Sequence, residues 1–270
     1  GGVPVRGDYD GDGKCDLAIF DSASGKWYVL QGDDDPKSSH HPSWGWSSAV
    51  PVPGDYDGDG TNDQAVFNPT GGDWYIKSLN GPILAWGNKW GWNGAVPVPG
   101  DYNGDGLSDQ AVFDRLSGNW YIKTLGGWVM AWANAWGWST AVPVPGDYDG
   151  DGRSDQAVYD PVSGRWYIKT LTGHVLAWAR PWGWSGAIPV SGDYDNDGIS
   201  DLAVYDVALG KWYVLALNGT VLAWNVNWGW SGALPVPGDY DGDGRADQAV
   251  LDRAGGLWFI RSLSGAVLRW

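Results

Sequence analysis

The chain has 270 residues, a net charge of −15, one cysteine and 22 tryptophans, and all 32 of its acidic residues are Asp. This composition argues against a disordered chain and excludes an intrachain disulfide; without basic patches to meet a phosphate backbone, no nucleic-acid partner is expected. No apolar run approaches the roughly 18 residues of a spanning helix, so no membrane insertion is expected, and no signal peptide is visible, which suggests a mature or trimmed chain.

The chain opens on Gly1-Gly-Val-Pro-Val5, an extended run that leads into the acidic loop D-x-D-x-D-G-x-x-D. The same loop begins again at Asp55, Asp101, Asp147, Asp193 and Asp239, after a first step of 47 residues and then steps of 46. A fixed period of 40 to 50 residues marks a solenoid, propeller or array.

The second copy predicts the elements of one unit. Ala49-Val-Pro-Val-Pro-Gly-Asp55 is extended, because its prolines forbid helix and suit strand starts or edges. The loop Asp55 to Asp63 follows, and then Gln64-Ala-Val-Phe67, a short apolar strand. Asn68-Pro-Thr-Gly-Gly72 is a turn by composition, and Trp74 to Leu79 alternates as a strand. Asn80-Gly81 is a two-residue hairpin signal, Ile83-Leu-Ala-Trp86 is a fourth strand, and Trp90-Gly-Trp92 leads onward. No segment has a helical period.

Four short antiparallel strands per unit make a propeller blade. The expectation is an all-β, six-bladed β-propeller of four-stranded antiparallel blades, one repeat of about 46 residues each, forming a single domain over 1–270. Blade boundaries are expected near 1–47, 48–93, 94–139, 140–185, 186–231 and 232–270. With blades of contiguous sequence, closure would come from packing blade six on blade one. Blade one departs from the pattern at Gly32-Asp-Asp-Asp-Pro-Lys-Ser-Ser-His-His41, where its outer strand is expected to be altered or lost. A sixth W-G-W is absent, since the chain stops at Trp270.

The loop chemistry points to a hard cation. Carboxylates at positions 1, 3, 5 and 9, a glycine at 6 and a backbone carbonyl at 7 form an oxygen cage that suits calcium; magnesium wants a tighter octahedron and zinc prefers nitrogen and sulfur. The candidate ligands are Asp8, Asp10, Asp12, Lys14 and Asp16 in the first loop and Asp55, Asp57, Asp59, Thr61 and Asp63 in the second. The third has Asp101, Asn103, Asp105, Leu107 and Asp109; the fourth has Asp147, Asp149, Asp151, Arg153 and Asp155. The fifth has Asp193, Asp195, Asp197, Ile199 and Asp201, and the sixth Asp239, Asp241, Asp243, Arg245 and Asp247. At position 7 (Lys14, Thr61, Leu107, Arg153, Ile199, Arg245) the ligand would be the backbone carbonyl. One such loop is equally an Asp-Gly turn without metal, but six spaced alike favour up to six Ca2+. An EF-hand is disfavoured, because position 12 is Ile19 and strands flank the loop. Asn103 should weaken the third site, and Asn196 at position 4 of the fifth should be tolerated in left-handed geometry. The loops hold 23 of the 32 Asp, four in each of six less one for Asn103. Six divalent ions would add +12 to the −15, leaving −3, so the acidity reads as metal ligands.

The run P-V-P-G-D-Y-D-G-D-G-x-x-D-x-A-V-[FY]-D-x-x-[ST]-G-x-W-Y resembles the FG-GAP/VCBS repeats of bacterial secreted proteins, relatives of the integrin α-subunit propeller repeats. The resemblance implies a calcium-stabilised β-propeller with a metal loop between the first and second strands of each blade. Integrin-like units are longer and usually seven to a ring, where this chain has six short ones. Members serve as adhesion modules, lectins or accessory domains of secreted enzymes, and fold does not choose among these.

Tryptophan is the second signal. W-G-W places Trp44 and Trp46, Trp90 and Trp92, Trp136 and Trp138, Trp182 and Trp184, and Trp228 and Trp230 as paired indoles on one face of an extended chain. These are candidate sugar-stacking residues of a multivalent, lectin-like module; the alternative is that they pack between blades. Trp27, Trp74, Trp120, Trp166, Trp212 and Trp258 sit mid-blade and are expected in the core, while the variable position Pro82, Trp128, His174, Thr220 and Ala266 is expected at the surface. No catalytic residue is expected: the Asp pairs are explained by metal, His40, His41 and His174 fit no triad, and near-identical blades supply no unique pocket. The expectation is a secreted or cell-surface, non-enzymatic calcium-binding module with glycan or protein-surface partners. The alternative is a structural or adhesion scaffold, a designed or recently amplified repeat, or an accessory domain of a larger secreted protein.

Overall fold

The computed structural model describes residues 2–30, 39–40, 43–79 and 81–269. Among these residues all regular structure is β, gathered in six four-stranded antiparallel sheets, each built from consecutive sequence. They are the six blades of a β-propeller. Three blades lie in the compact unit Gly1–Ser139 and three in Thr140–Trp270.

In blade two the strands are Val50–Pro51, Gln64–Asn68, Asp73–Lys77 and Ile83–Lys89. The second strand has four consecutive buried residues, which marks a strand covered on both faces. One face carries Ala65, Phe67, Trp74 and Ile76, packed on Val112, Tyr121 and Leu125 of blade three. The other carries Val66 and Tyr75, packed with Leu79 on Phe20, Trp27 and Val29 of blade one. The second unit repeats the arrangement: Tyr159, Trp166 and Ile168 meet Leu202, Val204 and Leu215, and Tyr205, Trp212 and Val214 meet Val250. A blade so apolar on both faces cannot fold alone.

The mid-blade indoles are core, as their position predicts: Trp27, Trp74, Trp120, Trp166 and Trp212 are fully buried, and Trp258 nearly so. Each of the five also donates its Nε1–H to the carbonyl of its own blade's first W-G-W tryptophan, at 2.7 Å. The glycine of W-G-W serves the same junction. Gly72, at φ 75°, lies so close that a Cβ there would collide with the Gly91 carbonyl, and the Trp90 N–H donates to the Gly72 carbonyl at 2.9 Å.

Blade one keeps a fourth strand of two residues, Ser39–His40, paired with Val29 and Leu30. The rest of the divergent Gly32–His41 segment, with Asn80 and Trp270, lies outside the described residues.

Candidate metal loops and aromatic surface

Each acidic loop joins the first and second strands of its blade. In the second loop, Asp55 folds the chain around its carboxylate: Oδ1 accepts from Gly58 N–H at 2.6 Å and Oδ2 from Gly60 N–H at 3.0 Å. Gly58 and Gly60 have φ of 80° and 85°, where a side chain is disfavoured. Asp57 Oδ1 accepts from Asp59 N–H, and Asp59 Oδ1 accepts from Thr61 N–H at 2.8 Å. Asp63 closes the loop: its N–H donates to the Gly54 carbonyl, and its Oδ2 accepts from Tyr56 N–H at 2.8 Å.

These bonds leave the other oxygen of Asp63 pointing into the loop. Asp63 Oδ1 is buried without a partner, and so are Asp247 Oδ1 and Asp195 Oδ1. Oxygens of Asp55, Asp57 and Asp63 lie within 4.8 Å of one another, as do those of Asp8, Asp10 and Asp16, of Asp147, Asp149 and Asp155, of Asp193, Asp195 and Asp197, and of Asp239, Asp241 and Asp247. Converging carboxylates with an orphaned buried oxygen are the donor set a hard divalent cation takes. The position-5 side chains of Asp12, Asp59, Asp105, Asp151, Asp197 and Asp243 accept from the position-7 N–H of Lys14, Thr61, Leu107, Arg153, Ile199 and Arg245.

The third loop differs from the others. Asn103 Nδ2 donates to Asp105 Oδ2 at 3.0 Å, and no triple carboxylate group forms there among the described residues. In the fifth loop Asn196 takes φ 63° and donates its Nδ2–H to the Asp243 carbonyl of the next loop at 3.2 Å. The loops within each unit are further linked by backbone. Ser108 N–H donates to the Asp55 carbonyl, Ser200 to Asp147 and Ala246 to Asp193, each at 2.6 Å, and Asn62 N–H does the same to Asp8.

Without metal the closing carboxyls are strained electrostatically. Desolvation pushes Asp16, Asp63, Asp109, Asp155, Asp201 and Asp247 up to about 7; a tyrosine N–H opposes this and the neighbouring loop carboxylates add to it. An unfolded Asp titrates near 3.9, so between about pH 4 and 7 the metal-free folded state holds more protons than the unfolded one. Its stability therefore falls as pH rises through that window. Thermal unfolding in chelator should give a melting temperature several degrees higher at pH 5 than at pH 8, with little change above pH 8. A rise from pH 5 to 8 would contradict this picture of the loops.

The aromatic surface is built across blade junctions. In four of the five W-G-W motifs the first indole serves structure: Nε1–H of Trp44, Trp90, Trp182 and Trp228 donates to the carbonyl of Tyr75, Tyr121, Tyr213 and Phe259 in the following blade. The second indole stands edge-on to that blade's third strand, with Trp46–Tyr75 at 5.1 Å, Trp92–Tyr121 and Trp184–Tyr213 at 4.8 Å, and Trp230–Phe259 at 5.1 Å. Trp136 and Trp138 are half-buried. The variable hairpin position lies outward: Pro82, Trp128, His174, Thr220 and Ala266 are all exposed.

The most exposed repeated indoles are ones the sequence pattern did not single out. Trp86, Trp132, Trp178 and Trp224, on the fourth strands, are 71, 71, 70 and 65% exposed. Each is held edge-on by a third-strand tyrosine, at 5.4 Å for Tyr75, Tyr121 and Tyr167 and 5.2 Å for Tyr213. Trp44, Trp90 and Trp182 of the preceding blade flank Trp86, Trp132 and Trp224 at 5.6–5.8 Å. A left-handed residue follows each exposed indole: Gly87, Ala133, Ala179 and Asn225, at φ of 54–67°. In blade two the pairing shifts there, so Gly87 is the extra residue of a bulge, a device that re-aims a side chain.

Residues 8–66 match the FG-GAP-like repeat family. The matched segment is similar to an FG-GAP-like repeat. The match and the blade architecture together fit an FG-GAP/VCBS repeat propeller. No curated protein sequence is matched. Among solved structures, a lectin from Agrocybe aegerita that recognises non-reducing terminal N-acetylglucosamine has a TM-score of 0.64 and 17% identity, over 98% of this chain and 77% of the lectin. A virginiamycin B lyase from Staphylococcus aureus has a TM-score of 0.59 at 10% identity, over 96% and 84% of the two chains. A Bacteroides caccae protein of unknown function has a TM-score of 0.54 at 12%, over 91% and 89%. At these identities the likeness is one of fold, and it spans a sugar binder and an enzyme alike.

Proposed function

We propose that this FG-GAP-like propeller is a secreted, non-catalytic, calcium-loaded module that binds carbohydrate on aromatic platforms repeated from blade to blade. The observation that carries this reading is the series Trp86, Trp132, Trp178 and Trp224: large indoles left in solvent yet fixed edge-on by a tyrosine. An indole face is electron-rich, and the C–H face of a pyranose is its complement. A ring already locked by packing loses little freedom on binding. Several equivalent weak sites gain strongly on a dense glycan surface. Calcium would be held by the loop aspartates, where it neutralises converging carboxylates and fixes the strand entries. The lectin neighbour makes terminal N-acetylglucosamine the first sugar to try.

The test is a glycan array with labelled protein in calcium buffer. Hits should share one terminal sugar and be competed by it in free form. Replacing Trp86, Trp132, Trp178 and Trp224 together by Ala should cut array signal at least tenfold, while each single substitution leaves the melting temperature within a few degrees, since one exposed ring contributes little to the core. A blank array from folded, calcium-loaded protein would turn the reading to a protein-binding scaffold. The turns between second and third strands support that second reading, since Leu116 and Val162 stand in solvent there, 90 and 69% exposed.

A further inference from the structure

We infer that the blade-five platform selects a carboxylated pyranose, such as a hexuronic acid, over its neutral counterpart; this rests on the carbohydrate reading above. The platforms share an indole and a phenol ring but differ at their rims. After Trp224 comes Asn225, where the other three platforms have Gly87, Ala133 and Ala179. Asn225 Oδ1 accepts from Lys211 Nζ at 2.8 Å and from the Tyr213 hydroxyl at 3.1 Å. Two bonds fill that oxygen. What the rim has left to offer is mostly donors: the Asn225 amide N–H pair and the remaining N–H groups of the Lys211 ammonium. A ligand lying on Trp224 would meet these donors at its edge, and a carboxylate takes them as charge-assisted hydrogen bonds.

The rims of the neighbouring platforms lack this set. In blade two the residue matching Lys211 is Asp73, paired with Lys89 at 3.5 Å, and in blade three it is Asn119. In blade four it is Arg165, whose Nη1–H donates to the Ala179 carbonyl at 3.3 Å beside Trp178, without an amide next to it. The carboxylate nearest Lys211 along the hairpin, Asp206, is drawn into its own turn, where Oδ1 accepts from Ala208 and Leu209 N–H at 2.9 and 3.0 Å. On a chain of net charge −15, attraction for an anionic sugar must be this local to exist.

The experiment is a titration of 15N-labelled, calcium-loaded protein with methyl β-D-glucuronide and, separately, methyl β-D-glucoside. The indole N–H resonances are followed, with Trp224 assigned through Trp224→Phe. At Trp224 the glucuronide should bind about three- to fivefold more tightly than the glucoside, the scale of an exposed ion pair. Lys211→Gln should abolish that difference by weakening glucuronide binding more than glucoside binding, and about 0.5 M NaCl should shrink it. Equal affinities at Trp224, with both sugars binding, would overturn this inference and leave the carbohydrate reading standing. No shift at Trp224 with either sugar up to about 100 mM would also overturn this inference, whereas the carbohydrate reading falls only on a blank glycan array.

Discussion

Stripping divalent cations with excess chelator should lower the melting temperature of this protein by at least about 15 °C, and adding back calcium should restore it. Each filled loop stabilises by about 2.7 kcal/mol when free calcium is a hundredfold above its dissociation constant, and the repeat supplies as many as six loops. One kcal/mol moves the midpoint of a domain this large by about 2–4 °C. Even with the third loop weakened by Asn103, the summed effect is large. The linkage between loops adds to it: a collapsed loop lets go of the N–H that the next loop donates to its first Asp carbonyl, as Ser108 does to Asp55. Magnesium should restore less, because it holds to an octahedron that these short loops do not dictate. An unchanged melting curve in chelator, with no metal by elemental analysis, would remove calcium from the account.

Much of this was readable in the residues. The 46-residue period, the extended Pro-rich start, the Gln64-Ala-Val-Phe67 strand and the alternating Trp74 to Leu79 strand follow from local rules, and the blades have these elements. The loop aspartates converge as their spacing implies, because Asp55 and the glycines at 58 and 60 wrap the backbone around one carboxylate. The platforms were harder to see. W-G-W draws attention as a paired motif, yet its first indole is tied to the next blade, through a bond such as Trp44 Nε1–H to the Tyr75 carbonyl at 3.1 Å. The partner lies 31 residues away, and nothing local in the sequence announces that bond. The tryptophan left in solvent is the plainer one in L-A-W. Strand alternation alone makes Trp86 face away from buried Ala85, but its exposure depends on the bulge at Gly87 and on the neighbouring blade. The burial of Gln64, Gln156 and Gln248 with both amide atoms unpaired was likewise illegible, since a glutamine at a strand start reads as surface.

Trp74→Ala and Trp86→Ala should differ sharply, though the two residues are a dozen apart in one blade. Trp74 is fully buried, stands 5.5 Å from Phe67, and donates Nε1–H to the Trp90 carbonyl at 2.7 Å. Truncation opens a cavity in the contact between blades two and three and orphans that carbonyl, which together cost about 3–5 kcal/mol. The midpoint in calcium buffer should fall by about 8–15 °C. Trp86 gives up solvent-exposed surface and two edge-on ring contacts, with Tyr75 and Trp44, worth about 1 kcal/mol in all at a site this exposed. Its midpoint should move by no more than about 4 °C. The two substitutions should then trade places on a glycan surface. Trp86→Ala loses one platform and lowers avidity at unchanged stability, whereas Trp74→Ala, assayed well below its midpoint, keeps its exposed indoles and most of its binding. If Trp86→Ala proved as destabilising as Trp74→Ala, the outer indole would be part of the core and the platform assignment would fail. If both left the midpoint unchanged, the packing between blades two and three would not be what holds this part of the chain together.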